Sequence, residues 1–163
     1  MQTRALQDTQ ASILAADIRA NTDPVVVAAL AIRDDDTICA YYNAATTTKC
    51  WISEVDGQSL FELTPITVFD SLTAGKREAW MMLIEQSRIS PLDFGRSKFR
   101  SAVVDIWAAS ERTSILNGVT RYATRAEILF GGTVESTGGV SATDLNVEIT
   151  LQSIDVSLAL NQF

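Results

Sequence analysis

The residues able to do chemistry are few. The 163-residue chain has no histidine, so the commonest general base and metal ligand is absent. Cys39 and Cys50 are the only cysteines. Without histidine they cannot form the usual four-ligand zinc site unless carboxylates complete it. Cys39 stands between Ile38 and Ala40, and Cys50 precedes Trp51. Both read as small core residues, and nothing implies a disulfide. The neighbouring carboxylates are Asp34, Asp35 and Asp36, then Glu54 and Asp56. Acid–base catalysis needs two carboxylates in differing environments within a cleft, which turn positions rarely supply. The three aspartates also lack the spaced Asp/Asn–Gly–Glu frame of a calcium loop and read as helix caps. Gly131-Gly132 and Gly138-Gly139 follow no strand-to-helix pattern with a Lys-Ser/Thr, and no serine sits in a G-x-S-x-G elbow. No enzymatic role, cofactor or metal is expected.

Charge is arranged in blocks. Net charge is −7: residues 1–70 carry ten acids and four bases, residues 71–130 six and nine, and residues 131–163 four acids and no base. This acidic–basic–acidic order suits complementary contacts within the chain or between copies, with plain solvated surface as the alternative. Arg96, Lys98 and Arg100, with Phe94 and Phe99 interleaved, form a small basic–aromatic cluster, and Arg112, Arg121 and Arg125 follow. Sequence-independent DNA binding needs a sizeable positive footprint, and the overall charge is wrong for it. Contact between Arg96, Lys98, Arg100 and the Asp34–Asp36 run of another copy is the expectation.

The elements that must position these residues are mostly helices. With 47% hydrophobic and 20% charged residues, a single globular domain is expected rather than a disordered chain. No apolar run is long enough to span a membrane, and residues 1–4 do not open a secretory signal, so a soluble protein made in a cytoplasm is expected. Periodicity predicts helices over 3–20, after Pro24 with Asp23 as its cap, and from the aspartate run to about Asn43. Ala44–Lys49 reads as a polar linker, residues 50–55 as extended, and residues 58–70 as a helical turn followed by extended chain. Thr73 caps a helix over 74–88, with Trp80, Met81, Ile84 and Ser87 in one stripe and Met82 and Leu83 beside it; the stripe reads as core. Further helices begin near Ser97 and at Ser110-Glu111.

Thr124 and Glu127 match a capping box, and Gly131 is the expected left-handed stop. The following "GGTVESTGGVSATD" reads as a flexible arm or a loose hairpin. Leu145, Val147, Ile149 and Leu151 alternate with polar residues, predicting a strand over 145–151 with one apolar face. That strand should pair with residues 132–136, with residues 50–55, or with another chain. Residues 153–161 suit a short terminal helix better than a second strand. The fold expected is mainly α: a helical body over 1–130 and a strand-bearing C-terminal arm over 131–163.

Several segments in order resemble small virion proteins of tailed bacteriophages: "DPVVVAALAIRDDDTICAYYNA", "CWISEV", "SLTAGKREAWMMLI", "RSKFRSAVVDIW", "ATRAEILFGGT" and "ITLQSIDVSLALN". The resemblance implies a head-to-tail connector: an adaptor ring beneath the portal protein, assembled from identical subunits in the host cytoplasm and touching tail or neck proteins. DNA would pass through without being specifically bound. Leu145, Val147, Ile149 and Leu151 would then face the portal or a neighbouring subunit. "VESTGGVSATDLNV" departs from the family pattern. A tail-completion or minor capsid protein is the alternative within virions, and a small nucleic-acid-binding module the alternative outside them.

Overall fold

The computed structural model describes residues 6–163. The fold is mainly α, 58% helical, with a small four-stranded mixed sheet. In chain order the elements are α1 (Asp8–Ala20), α2 (Pro24–Ile32), α3 (Asp35–Asn43), β1 (Ala45–Trp51), α4 (Gly57–Glu62), α5 (Ile66–Phe69) and α6 (Ala74–Ile89). Then follow α7 (Ser97–Ile106), α8 (Ala109–Gly118), β2 (Thr120–Thr124), α9 (Arg125–Leu129), β3 (Gly132–Thr137), β4 (Val140–Leu145) and α10 (Ser153–Gln162). The expected start of the first helix at residue 3 lies outside the described residues.

Local chemistry explains most boundaries. Asp23 caps α2 by accepting from the Val25 amide at 2.9 Å, with Pro24 in the first turn. Asp34 caps α3, accepting from the Thr37 amide at 3.0 Å and its hydroxyl at 2.7 Å. Thr73 caps α6. Thr124 and Glu127 close the predicted box in both directions, at 3.2 and 2.8 Å. Gly131 then takes φ 83°, the left-handed stop.

The sheet order is β2-β1-β4-β3. β1 and β4 run parallel with Cys50 opposite Thr143. β1 and β2 run in opposite directions, since the Ile52 amide bonds the Val119 carbonyl and the Arg125 amide the Ala44 carbonyl. β3 and β4 form a hairpin turned by Gly138 and Gly139, at φ 58° and 86°, the pair of positive values that a two-residue turn of this hand requires.

Four expectations fail here. Ala44–Lys49 is not a linker: its threonines lie in β1, where β-branched side chains fit a pleated, half-exposed surface. Residues 58–70 are not a helical turn followed by extended chain, because a second helical turn, α5, follows Pro65; residues 120–124, for which no element is expected, form β2. The strand expected over 145–151 is displaced to 140–145, and residues 146–152 lie outside the sheet, bending at Asn146. Their backbone finds other partners. The Asn43 side chain donates to the Leu151 carbonyl and accepts from its amide, both at 2.8 Å, and the Asn146 amide donates to the Gly131 carbonyl at 3.0 Å. A ladder is therefore unnecessary. The alternation located a segment with one apolar face, but not what satisfied it.

The chain divides into two compact units. The first holds the chain up to Thr47, Tyr122–Gly132 and Leu145–Phe163; the second holds Thr48–Arg121 and Thr133–Asp144. The division does not fall at residue 131: the C-terminal residues are apportioned to both units. In the first unit, α10 packs on α1 and α3 around Leu14, Ile18, Ile38, Leu151 and Val156. Arg19 and Arg33 reach α10's last turns, donating to the Leu160 carbonyl at 3.0 Å and the Asn161 side chain at 2.8 Å, as cations suit a helix C-terminus. In the second unit, α6 packs on α4 and α7 over a core containing Trp51, Trp80, Phe94 and Trp107.

Candidate functional site

The expected cation cluster does not exist as a surface. Arg96 stands exposed at the start of α7, ion-paired with Asp93 at 3.1 Å. Lys98 is exposed and lies over the Phe99 ring, 4.5 Å from its centroid. Arg100, one turn after Arg96, is 0% exposed. Two different causes separate them: Lys98, two positions before Arg100, points to the opposite side of α7, and Arg96 is the extended N-cap and not part of the helix, while the stripe that begins with Phe99 and Arg100 and continues through Val103 and Ile106 faces the core. The guanidinium lies 4.8 Å from the centroid of the Trp51 ring. It donates to the Phe94 carbonyl at 2.6 Å, to the Gly95 carbonyl, to Thr137 Oγ1 at 3.3 Å and to the Glu135 carboxylate. Burial pushes its pKa down, opposed by Asp144 and Asp93. Arg100 is thus a structural clamp holding β3 to α7, not a contact between copies. Phe94 and Phe99 are likewise buried, so no basic–aromatic nucleic-acid patch remains.

The aspartate run lies in the first unit between α2 and α3. Arg33 ends α2 in the left-handed region at φ 57°. Asp34 is engaged as the cap, and its hydrogen bonds from Thr37 hold its carboxyl below the usual range. Asp36 accepts from the Ser153 hydroxyl, tying α3 to the start of α10. These groups line a shallow depression of about 380 Å³. Among the described residues no group of three or more metal-ligating side chains converges. Asp34 serves as the expected cap and Asp36 as a tether to α10, while Asp35 buries one carboxylate oxygen without a hydrogen-bond partner among the described residues.

The apolar stripe expected to face a partner is mostly core. Ile149 and Leu151 are buried in the first unit, Val147 packs against the same cluster, and Leu145 is half-buried at the end of β4. Burial of the alternating side chains inside their own unit removes them as a free interface.

Two other kinds of surface emerge: one strand edge and two apolar faces, one in each unit. β3 lies at the sheet edge, and Val134 on it is 71% exposed. Counting outward from the two-residue turn, Thr137 pairs with Val140, so the amides of Val134 and Ser136 point away from β4. The Ser136 and Ser141 hydroxyls meet across the hairpin in agreement with this pairing. A glycine pair between two alternating runs was the sequence signal for it. The second kind is apolar. α2 has no polar side chain from Pro24 to Ile32, yet buries only Val26 and Ala29. In the other unit, α6 and α7 frame an apolar groove of about 490 Å³ lined by Ala79, Met82, Leu83 and Ile106 among others. The Met82 flank of the predicted core stripe is thus open, while Trp80 and Ile84 are buried.

No family model, curated protein or solved structure matches this chain.

Proposed function

We propose that this chain is a structural virion protein of a tailed phage, an adaptor forming a ring between the portal and the tail. The observation that carries the reading is the open β3 edge, which offers a partner an unpaired row of backbone groups. In this reading the C-terminal segment still makes the contact expected of an arm, but through the edge of its hairpin. Val147, Ile149 and Leu151 pack with the terminal helix inside the first unit, and Leu145 is half-buried at the end of β4. The partners are the portal protein, neck or tail proteins and identical subunits, and the location is the head–tail interface of the virion. The resemblance of the quoted segments to connector proteins supplies the virion context.

Two measurements test this. Cryo-electron microscopy of assembled particles should place the chain as a ring beneath the portal. Finding it only on the capsid exterior, or absent from virions, removes the adaptor reading. Val134→Pro deletes an outward amide without deleting a ladder bond, so it should leave the fold intact and abolish docking on the portal. Undiminished docking by a folded Val134→Pro protein removes the edge from the mechanism.

A further inference from the structure

A helix that is apolar all round normally has every side covered. α2 does not: Val25 and Val27 are half exposed and Ile32 is 76% exposed. Helical spacing places Val25, Ala28 and Ile32 on one stripe and Pro24, Val27 and Ala31 on the next, a continuous uncharged ridge. Nine residues make it about 13 Å long. The groove between α6 and α7 has matching chemistry. Its lining runs along α6 from Ala79 to Gln86, about 10 Å of helix. Met82, on its wall, is 66% exposed.

Charge favours joining these two surfaces over pairing either with itself. α2 is bracketed by Asp23 at one end and by Arg33, Asp34, Asp35 and Asp36 at the other, and Arg33 is turned onto α10, where it donates to the Asn161 side chain at 2.8 Å. Packing α2 on its own twin, in either direction, sets aspartates against aspartates, and like-charge contacts are unfavourable. The groove is bracketed differently. Lys76 precedes Ala79 and Leu83 on the α6 stripe, and Lys98 precedes Ala102 and Ile106 on the α7 stripe. Neither lysine makes an ion pair among the described residues, and with Arg77 the flanking cations number three against the two exposed acids nearby, Glu78 and Asp105. Glu85 on the groove wall already has its charge met by Arg88, at 2.6 Å.

We propose that the α2 ridge of one copy seats in the α6–α7 groove of the next, with Asp34–Asp36 meeting the groove's lysines. The ridge and the groove are different surfaces of one chain, so the contact is head-to-tail, the kind that builds rings or open arrays. This deepens the ring reading by naming the subunit contact. One short helix covers less than the roughly 800 Å² per partner of a standard interface, so the contact is weak and dissociates on dilution.

Sedimentation of the full chain up to roughly 1 mM is the measurement, since millimolar dissociation constants fall in that range. The wild-type average mass should rise with concentration. Ile32→Glu and Met82→Glu alter exposed side chains in the two surfaces, and each should weaken association at least tenfold. Val25→Glu is a second ridge variant should Ile32→Glu misfold. An equimolar mixture of Ile32→Glu and Met82→Glu retains one intact ridge and one intact groove, so it should form heterodimers and nothing larger. A wild-type monomer throughout overturns the proposal, as does a mixture that restores nothing. Loss of association in Ile32→Glu but not Met82→Glu would show ridge-to-ridge pairing and also overturn it. The measurement involves no virion or portal. Its failure removes this contact alone, while absence from virions removes the adaptor reading alone.

Discussion

The two units solve the same packing problem with different side chains. The first fills its core mostly with alanines and aliphatics: Ala11, Ala15, Ala126 and Ala159 stand among Leu14, Ile18, Ile38 and Val156, with Tyr42 and Phe130 its only buried aromatics among the described residues. Small residues let short helices approach closely, but each contact then contributes little area. The second unit holds all three tryptophans of the chain, with Phe94 and Phe99 beside them. Trp80 meets Trp107 edge-on at 5.4 Å, and its indole N–H donates to Thr64 Oγ1 at 2.9 Å. Aromatic side chains each bury on the order of 150–250 Å², so a core of as many residues takes more apolar surface from water. Trp51 and Trp107 bury their indole N–H groups without such a partner among the described residues, and Arg100 covers the Trp51 ring face instead.

The comparison breaks most readily at Arg100. Arg100→Ala removes the guanidinium from the Trp51 face and leaves two backbone carbonyls and the Glu135 carboxylate without their donor. Truncating one member of a buried ionic contact typically costs about 3–5 kcal/mol. Glu135 is partly exposed and can recover water, so the lower end is expected. Urea unfolding followed by tryptophan fluorescence reads this directly, because every tryptophan lies in the affected unit. A cost below about 1 kcal/mol, the range of surface ion pairs, would return Arg100 to the solvent-facing role inferred from sequence.

The corresponding site in the first unit is Leu151. It is 1% exposed, and its backbone is held on both sides by Asn43. Leu151→Ala should destabilise by roughly 2–5 kcal/mol, the range for emptying a buried leucine site. As part of a free arm it would cost little, as surface substitutions usually stay within about 0.5 kcal/mol. Thermal unfolding by circular dichroism distinguishes the two. Leu158→Ala, on the half-exposed side of α10, is the matched control and should be nearly neutral.

These two residues also mark where sequence reading succeeded and where it stopped. Signals carried by a few adjacent residues were legible: the caps at Asp23, Thr73 and Thr124, the Gly131 stop and the terminal helix. Each of these is decided by chemistry within one turn of the chain. Pairing was not legible. Whether Leu145–Leu151 becomes a strand depends on Asn43, about a hundred positions away. Whether Arg100 faces water depends on the phase of α7 against a hairpin 35 residues later. Charge identity suggested a surface for both Arg96 and Arg100, but Arg96 is the extended N-cap, so the shared face expected of residues four apart in a helix does not apply to it. The α2 ridge was visible as an uncharged run, yet its exposure depends on which neighbours fail to cover it.

The smallest expected effect concerns the caps and pH. Hydrogen bonds from Thr37 hold the Asp34 carboxyl in the first unit below its usual range, and those from Ser59 do the same for Asp56 in the second. A carboxyl whose pKa is lowered on folding binds protons more readily in the unfolded chain, so its contribution is present above the unfolded value of 3.8. That contribution is lost as pH falls from there through the depressed folded values. Helicity should therefore begin to drop only below that point, with α3 and α4 fraying as their caps protonate. Asparagine caps nearly as well as aspartate but does not titrate. Asp34→Asn and Asp56→Asn should each flatten the acid limb measured by circular dichroism while leaving helicity at neutral pH unchanged. An acid limb identical in the double variant would show that neither cap couples stability to protons. The difference between the single variants ranks the units: the steeper residual limb belongs to the unit whose cap was left intact.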